Sequence, residues 1–123
     1  MTKPVLLALA AYFALLGLTL VVAPGWFYAH LPGVSDSGPF NSHFARDVGF
    51  AFVVSAVALA WSVARGDRVL ALFGAGFPML HGLYHLAEVR HHGLASTVAE
   101  LAGTLGPGLI AAYLATRLKG GVA

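Results

Sequence analysis

The segment VLALFGAGFPMLHGLYHLAEVRHH, Val69 to His92, divides into an apolar half and a histidine-rich half. Val69–Leu80 has no polar side chain, whereas His81–His92 carries four of the chain's six histidines together with Glu88. At about 100° per residue on an α-helix, His81, His85, Glu88 and His92 share one face, because they stand at i, i+4, i+7 and i+11. The segment therefore reads as a membrane-crossing helix with a polar stripe toward one end. Pro78 lies inside it, which removes a backbone hydrogen bond and predicts a kink one turn before His81.

Working outward, the rest of the chain agrees with a membrane setting. Of its 123 residues 59% are hydrophobic and only 10% charged, and a mean hydropathy of +0.81 lies outside the soluble range. The fifteen glycines fit helices whose backbones approach closely in lipid. The seven Lys and Arg are scattered at segment ends, without the basic stripe of a nucleic-acid surface, so no nucleic-acid partner is expected. Cysteine is absent, which excludes disulfides, iron–sulfur clusters and thiolate catalysis.

Three further runs have spanning length, against the ~20 residues that a helix needs to cross a bilayer. Pro4–Ala23 is the first; its apolar core exceeds that of a secretory signal, so it is expected to be retained. Pro24-Gly25 ends it, and residues 26–42 read as a loop whose Trp26, Phe27 and Tyr28 suit the membrane–water interface. The second span is expected over 44–64, the third over 69–89 and the fourth over 97–118, with the turn RGDR between the second and third. The fold expected is all-α: a single transmembrane domain, residues 1–123, built as an antiparallel four-helix bundle of two hairpins.

Charge then orients the bundle. Lys3, Arg65, Arg68, Arg117 and Lys119 fall on one side and only Arg46 and Arg90 on the other. Five against two places both termini in the cytoplasm by the positive-inside rule, with a bacterial plasma membrane as the expected location. All six histidines, with Asp47, Glu88 and Glu100, then lie in or beside the outer half. At ~1.5 Å per residue His85 sits about 7–8 Å and His81 about 13–14 Å below the outer end of the third span, near the mid-plane.

Ionisable groups at such depth cost about 2.5–3.5 kcal/mol each, so they need a partner or a task. The plainest account is structural: Arg46 in an ion pair with Asp47 or Glu88, Asp47 and Glu100 at positive helix N-termini, and His91 and His92 at headgroup level. The chemical account is a metal centre. His81 and His85 present imidazoles from one helix, and His43, Asp47, Glu88 and Glu100 supply further ligands, a sulfur-free set that suits Zn²⁺, Fe, Mn or Cu(II). Such an ion would activate water or oxygen in a membrane-embedded enzyme acting on an apolar substrate, or simply be held or relayed. Two rival readings use the same residues. Haem b would take His43 and one histidine of the third helix as axial ligands. A metal-free acid–base site or proton path would use His85, Glu88 and Asp47, as in a non-enzymatic proton-coupled transporter or an assembly subunit of a membrane complex. Ala71–Ala75 and Ala99–Gly103 are small-residue rows fit for a homo-oligomer contact, or for packing within one subunit.

The blocks NSHFARDVGFAF (Asn41–Phe52) and HGLYHLAE (His81–Glu88) resemble the pattern of small four-helix bacterial membrane proteins grouped as DoxX-like. The resemblance covers about residues 4–118. It implies a four-span fold, a bacterial plasma membrane and polar positions matching His43, Arg46, Asp47, His81, His85 and Glu88. It implies no particular activity.

Overall fold

A computed structural model describes residues 1–88, 97–99 and 101–119, with the backbone only of Ser37. It is all-helical. The main elements are α1 (Thr2–Val22), α2 (Pro24–His30), α3 (Ser42–Arg65), α4 (Arg68–Ala87) and α5 (Gly106–Arg117), with a π-helical turn at Leu101–Leu105 leading into α5. Four helices, Thr2–Val22, Ser42–Arg65, Arg68–Ala87 and Thr97–Arg117, are long and apolar enough to cross a membrane.

Helix ends follow local chemistry. The Asn41 side chain accepts hydrogen bonds from the backbone N–H groups of His43 and Phe44, at 3.0 and 3.1 Å, which satisfies two of the donors left open at the start of α3. Gly66 ends α3 in the left-handed conformation (φ 66°), and Asp67 then caps α4 by accepting from Leu70 N–H at 3.0 Å. This two-residue link reverses the chain. α4 continues as one helix through Pro78, whose ring is buried in the bundle.

The helices pack in the order α1, α3, α4, α5, each antiparallel to its neighbour. Phe13 on α1 stacks on Phe52 of α3 at 5.8 Å, while further along α1 Val21 meets Arg46, nearer the start of α3. Phe52 in turn meets Phe77 of α4 edge-on at 5.0 Å. Glycines set these seams. A Cβ on Gly17 would lie 2.6 Å from the Gly49 carbonyl, one on Gly74 2.9 Å from the Leu59 backbone, and one on Gly108 2.7 Å from the Met79 backbone. Backbone meets backbone there, and no larger residue fits without parting the helices. Ala71 and Ala75 are buried at 0% and 1% exposure, so that small-residue row joins helices within the subunit.

The expected loop over residues 26–42 is only partly a loop. Pro24 opens the short helix α2 instead of merely ending α1, since a proline at the first helical position has no intrahelical donor to lose. A 3₁₀ turn, Val34–Ser37, follows. Together they form a strap across the end of the bundle where α1 and α4 finish and α3 begins.

Candidate functional site

Beneath the strap lies a cavity of about 270 Å³, bounded by α1, the strap, α3, α4 and, on the fourth span, Ala99, Gly103 and Thr104. Its walls are aromatic and aliphatic: Tyr12, Phe27, Tyr28, Phe40, Phe44 and Phe52 all reach it. Among the described residues no charged side chain lines it. Its nitrogen-bearing side chains are Asn41 at the rim and His81 and His85 on the α4 wall.

The i, i+4 spacing brings the two imidazoles together as the sequence implied. His81 Nε2 and His85 Nε2 are 3.1 Å apart, with the rings perpendicular and their centroids separated by 4.6 Å. Both side chains are half-buried. His81 is held from the other side as well: its ring stacks on Phe77 at 5.3 Å and meets Phe52 edge-on at 5.8 Å. Phe52 thus links the core, through Phe13 and Phe77, to the site.

Two neutral imidazoles in this contact share one proton between facing Nε2 atoms, one ring donating and the other accepting. Alternatively, both lone pairs face a third atom. Histidine nitrogens about 2.0–2.1 Å from one tetrahedral metal ion stand about 3.3–3.4 Å apart, close to the separation found.

The strap is tied down by its own side chains. Tyr28 Oη donates to Gly38 O at 2.8 Å, and its ring packs on Phe40 at 5.2 Å. His30 stacks on Trp26 at 4.8 Å with its Nδ1 2.8 Å from the Trp26 carbonyl, so this histidine serves the strap helix.

The remaining sequence-derived candidates separate from the pair. His43 and Asp47 do form an i, i+4 pair, Nε2 to Oδ2 at 3.6 Å, but their side chains are 88% and 59% exposed and neither lines the cavity. Among the described residues no three His, Asp or Glu side chains gather as a metal-ligand group. The expected ion pair of Arg46 is replaced by something else: its Nε donates to Val21 O at 3.1 Å and its Nη1 to Ser42 O at 3.4 Å. Its Nε therefore caps a carbonyl at the C-terminal end of α1, where the helix dipole favours a cation, while Nη1 turns back to the first residue of α3. Glu88 follows α4 as its C-cap, its backbone N–H bonded to Tyr84 O. Glu100, Arg90, His91 and His92 lie outside the described residues.

One cavity residue escaped the sequence reading. Tyr12 Oη donates to Gly103 O at 2.7 Å, joining α1 to the π turn before α5. A signal for it was present, because Tyr12 and Thr19 are the two hydrogen-bonding side chains in the run Pro4–Ala23. Thr19 turns back on its own helix, to Leu15 O at 2.8 Å, which leaves Tyr12 as the residue that reaches across. Neither a family model, nor a curated relative, nor a solved structure matches this chain.

Proposed function

We propose that this chain is an integral membrane protein that binds a small, neutral, largely apolar molecule in the strap-covered cavity, with His81 and His85 as its hydrogen-bonding contacts. The observation that carries the reading is the cavity itself: about 270 Å³, aromatic-lined, uncharged among the described residues, and open to a histidine pair on one wall. An ionic ligand would find no counter-charge among the described residues there, whereas an uncharged ring compound finds flat apolar walls and the imidazole pair as a polar anchor.

Membrane insertion is supported by what the bundle leaves uncovered. At most 39% of any of the four spans is buried inside the protein, and Leu15, Val54 and Phe73 on three of the helices are 67–76% exposed. Lipid is the partner that such faces require. In this reading the membrane is a bacterial plasma membrane with both termini cytoplasmic and the strap outside, an orientation supported by the five-against-two charge count. Cysteines introduced at Ser37 and Gly66 report this topology, since the chain has no cysteine of its own. An impermeant maleimide added to intact cells is expected to label position 37 and spare position 66, and the opposite pattern would invert the orientation.

Saturable binding of 1-aminoanthracene, a small neutral fluorescent ring compound, tests the cavity. Ala45 lines it and is partly buried against the core. Ala45→Phe puts a benzyl group into the space and is expected to weaken binding about tenfold or more, a change of at least ~1.4 kcal/mol. Wild-type protein that shows no saturable binding would remove the reading.

A transition-metal ion is the second reading, favoured by the 3.1 Å between the two Nε2 atoms. In it, Zn²⁺, Fe, Mn or Cu(II) is chelated by His81 and His85, and the open positions face the cavity, where an apolar substrate would meet the ion. Haem draws no such support, because both histidines lie on one wall and the His43 side chain is 88% exposed.

A further inference from the structure

Three of the four seams in this bundle are closed by backbone against backbone. Gly17 and Gly49 close the seam of α1 with α3; Gly74 and Leu59 that of α3 with α4; and Gly82 with Leu105, then Gly108 with Met79, that of α4 with α5. At each glycine a Cβ would come within 3.0 Å of the facing backbone or its side-chain root, too near for any atom to pass. The fourth seam, α1 with α5, is different in kind. Among the described residues it is the loosest of the four, and no described glycine there meets the facing backbone. A hydrogen bond crosses it from a side chain to a backbone group, Tyr12 Oη to Gly103 O.

Tyr12 stands at this seam on the cavity wall, with Leu16 on its own helix and Gly103 and Thr104 opposite, and it is 38% exposed. The seam runs along the flank of the bundle, which in a bilayer meets hydrocarbon. The Gly103 carbonyl belongs to the π turn Leu101–Leu105, where the helical hydrogen-bond ladder is irregular. The end of the bundle toward water, by contrast, is crossed by the strap, pinned by Tyr28 to Gly38.

We propose that the ligand is a lipid-phase molecule that reaches the histidine pair sideways, through the α1–α5 seam, with the Tyr12–Gly103 hydrogen bond as the latch. This rests on the binding reading above and adds the source of the ligand and its route. Opening needs no glycine contact among the described residues to break, and rotation of the Tyr12 side chain releases the bond that crosses the seam. The class of ligand follows, namely a neutral compound that partitions into the bilayer and carries a group able to hydrogen-bond with an imidazole.

The test measures exchange rates and affinity separately in phospholipid nanodiscs, using energy transfer from tryptophan to 1-aminoanthracene. Tyr12→Phe keeps the ring and deletes the latch. Association and dissociation should both accelerate about 2- to 10-fold, the rate equivalent of one neutral hydrogen bond. Tyr12→Trp, which fills the seam, should slow both. A third arm addresses the water side: a polyethylene-glycol maleimide on Ser35→Cys, an exposed strap position that does not line the cavity, should leave the rates as they were. Rates that ignore both Tyr12 variants overturn the lateral route while leaving the binding site standing, and a slowing by the Ser35 adduct alone moves the entrance to the aqueous end. Absence of saturable binding in the wild type overturns the site and the route together.

Discussion

Gly82→Ala is expected to destabilise the bundle by about 3 kcal/mol, the upper end of what overpacking usually costs. A Cβ at Gly82 would lie 2.5 Å from the N, Cα and Cβ of Leu105. Those atoms belong to the π turn and cannot swing away as the tip of a long side chain can. α4 and α5 would have to separate by about the missing ångström, which loosens their packing along several turns. The same substitution at Gly76, six residues earlier on the same helix, is its control, since nothing lies within 4 Å of a Cβ there. Gly76→Ala should be neutral or stabilise by up to about 1 kcal/mol through helix propensity alone. Thermal or denaturant unfolding in one detergent distinguishes them. Equal effects at the two positions would mean that α4 and α5 do not pack at Gly82.

The contrast between these glycines also marks the limit of what the sequence discloses. Run length found the four spanning helices, because hydropathy over ~20 residues is a one-dimensional property. Which of fifteen glycines carry a seam depends on register between helices, and nothing in the sequence beside Gly76 or Gly82 says which of them faces another helix. α2 was missed for a local reason: Pro24-Gly25 is a stop signal for the helix before it and an equally good first turn for the helix after it. His81 and His85 were legible because i, i+4 on one helix needs no tertiary information. Asp47 was not, since its depth along α3 can be counted from sequence but the rotation of α3 cannot, and that rotation puts Asp47 on the exposed side with His43. Arg46 shows the same limit in reverse. A charge near the end of one helix was matched to nearby carboxylates, when the end of α1, 25 residues earlier in the chain, supplied a carbonyl acceptor.

Burial separates the two histidine pairs in consequence as well as in place. His43 and Asp47 are an exposed i, i+4 pair, worth about 0–1 kcal/mol, and neither lines the cavity. Their substitution should leave binding unchanged and stability nearly so. The His81–His85 pair lines the cavity and is braced by Phe52 and Phe77, so it presents the cavity's two imidazoles to a bound molecule.

His81→Phe isolates that chemistry from packing. The new ring keeps the stack on Phe77 and the edge contact with Phe52, so the fold should survive at a cost below about 1.5 kcal/mol, as volume-conserving swaps do. What disappears is the Nε2 that faces His85 Nε2 at 3.1 Å. For an organic ligand the measure is the wild-type preference for 1-aminoanthracene over anthracene, which differ by one hydrogen-bonding group. That preference should fall about 2- to 10-fold, the worth of one neutral hydrogen bond, while anthracene itself binds as before. For a metal the effect is larger: one remaining imidazole cannot chelate, so protein purified without chelator should lose its bound Zn, Fe, Mn or Cu entirely. His43→Ala is the parallel measurement, expected to change neither the preference nor the metal content. If His81→Phe retains both wild-type ligand preference and wild-type metal content, the pair is only a packing feature of α4. A matching loss in His43→Ala would instead mean that the exposed pair belongs to the site.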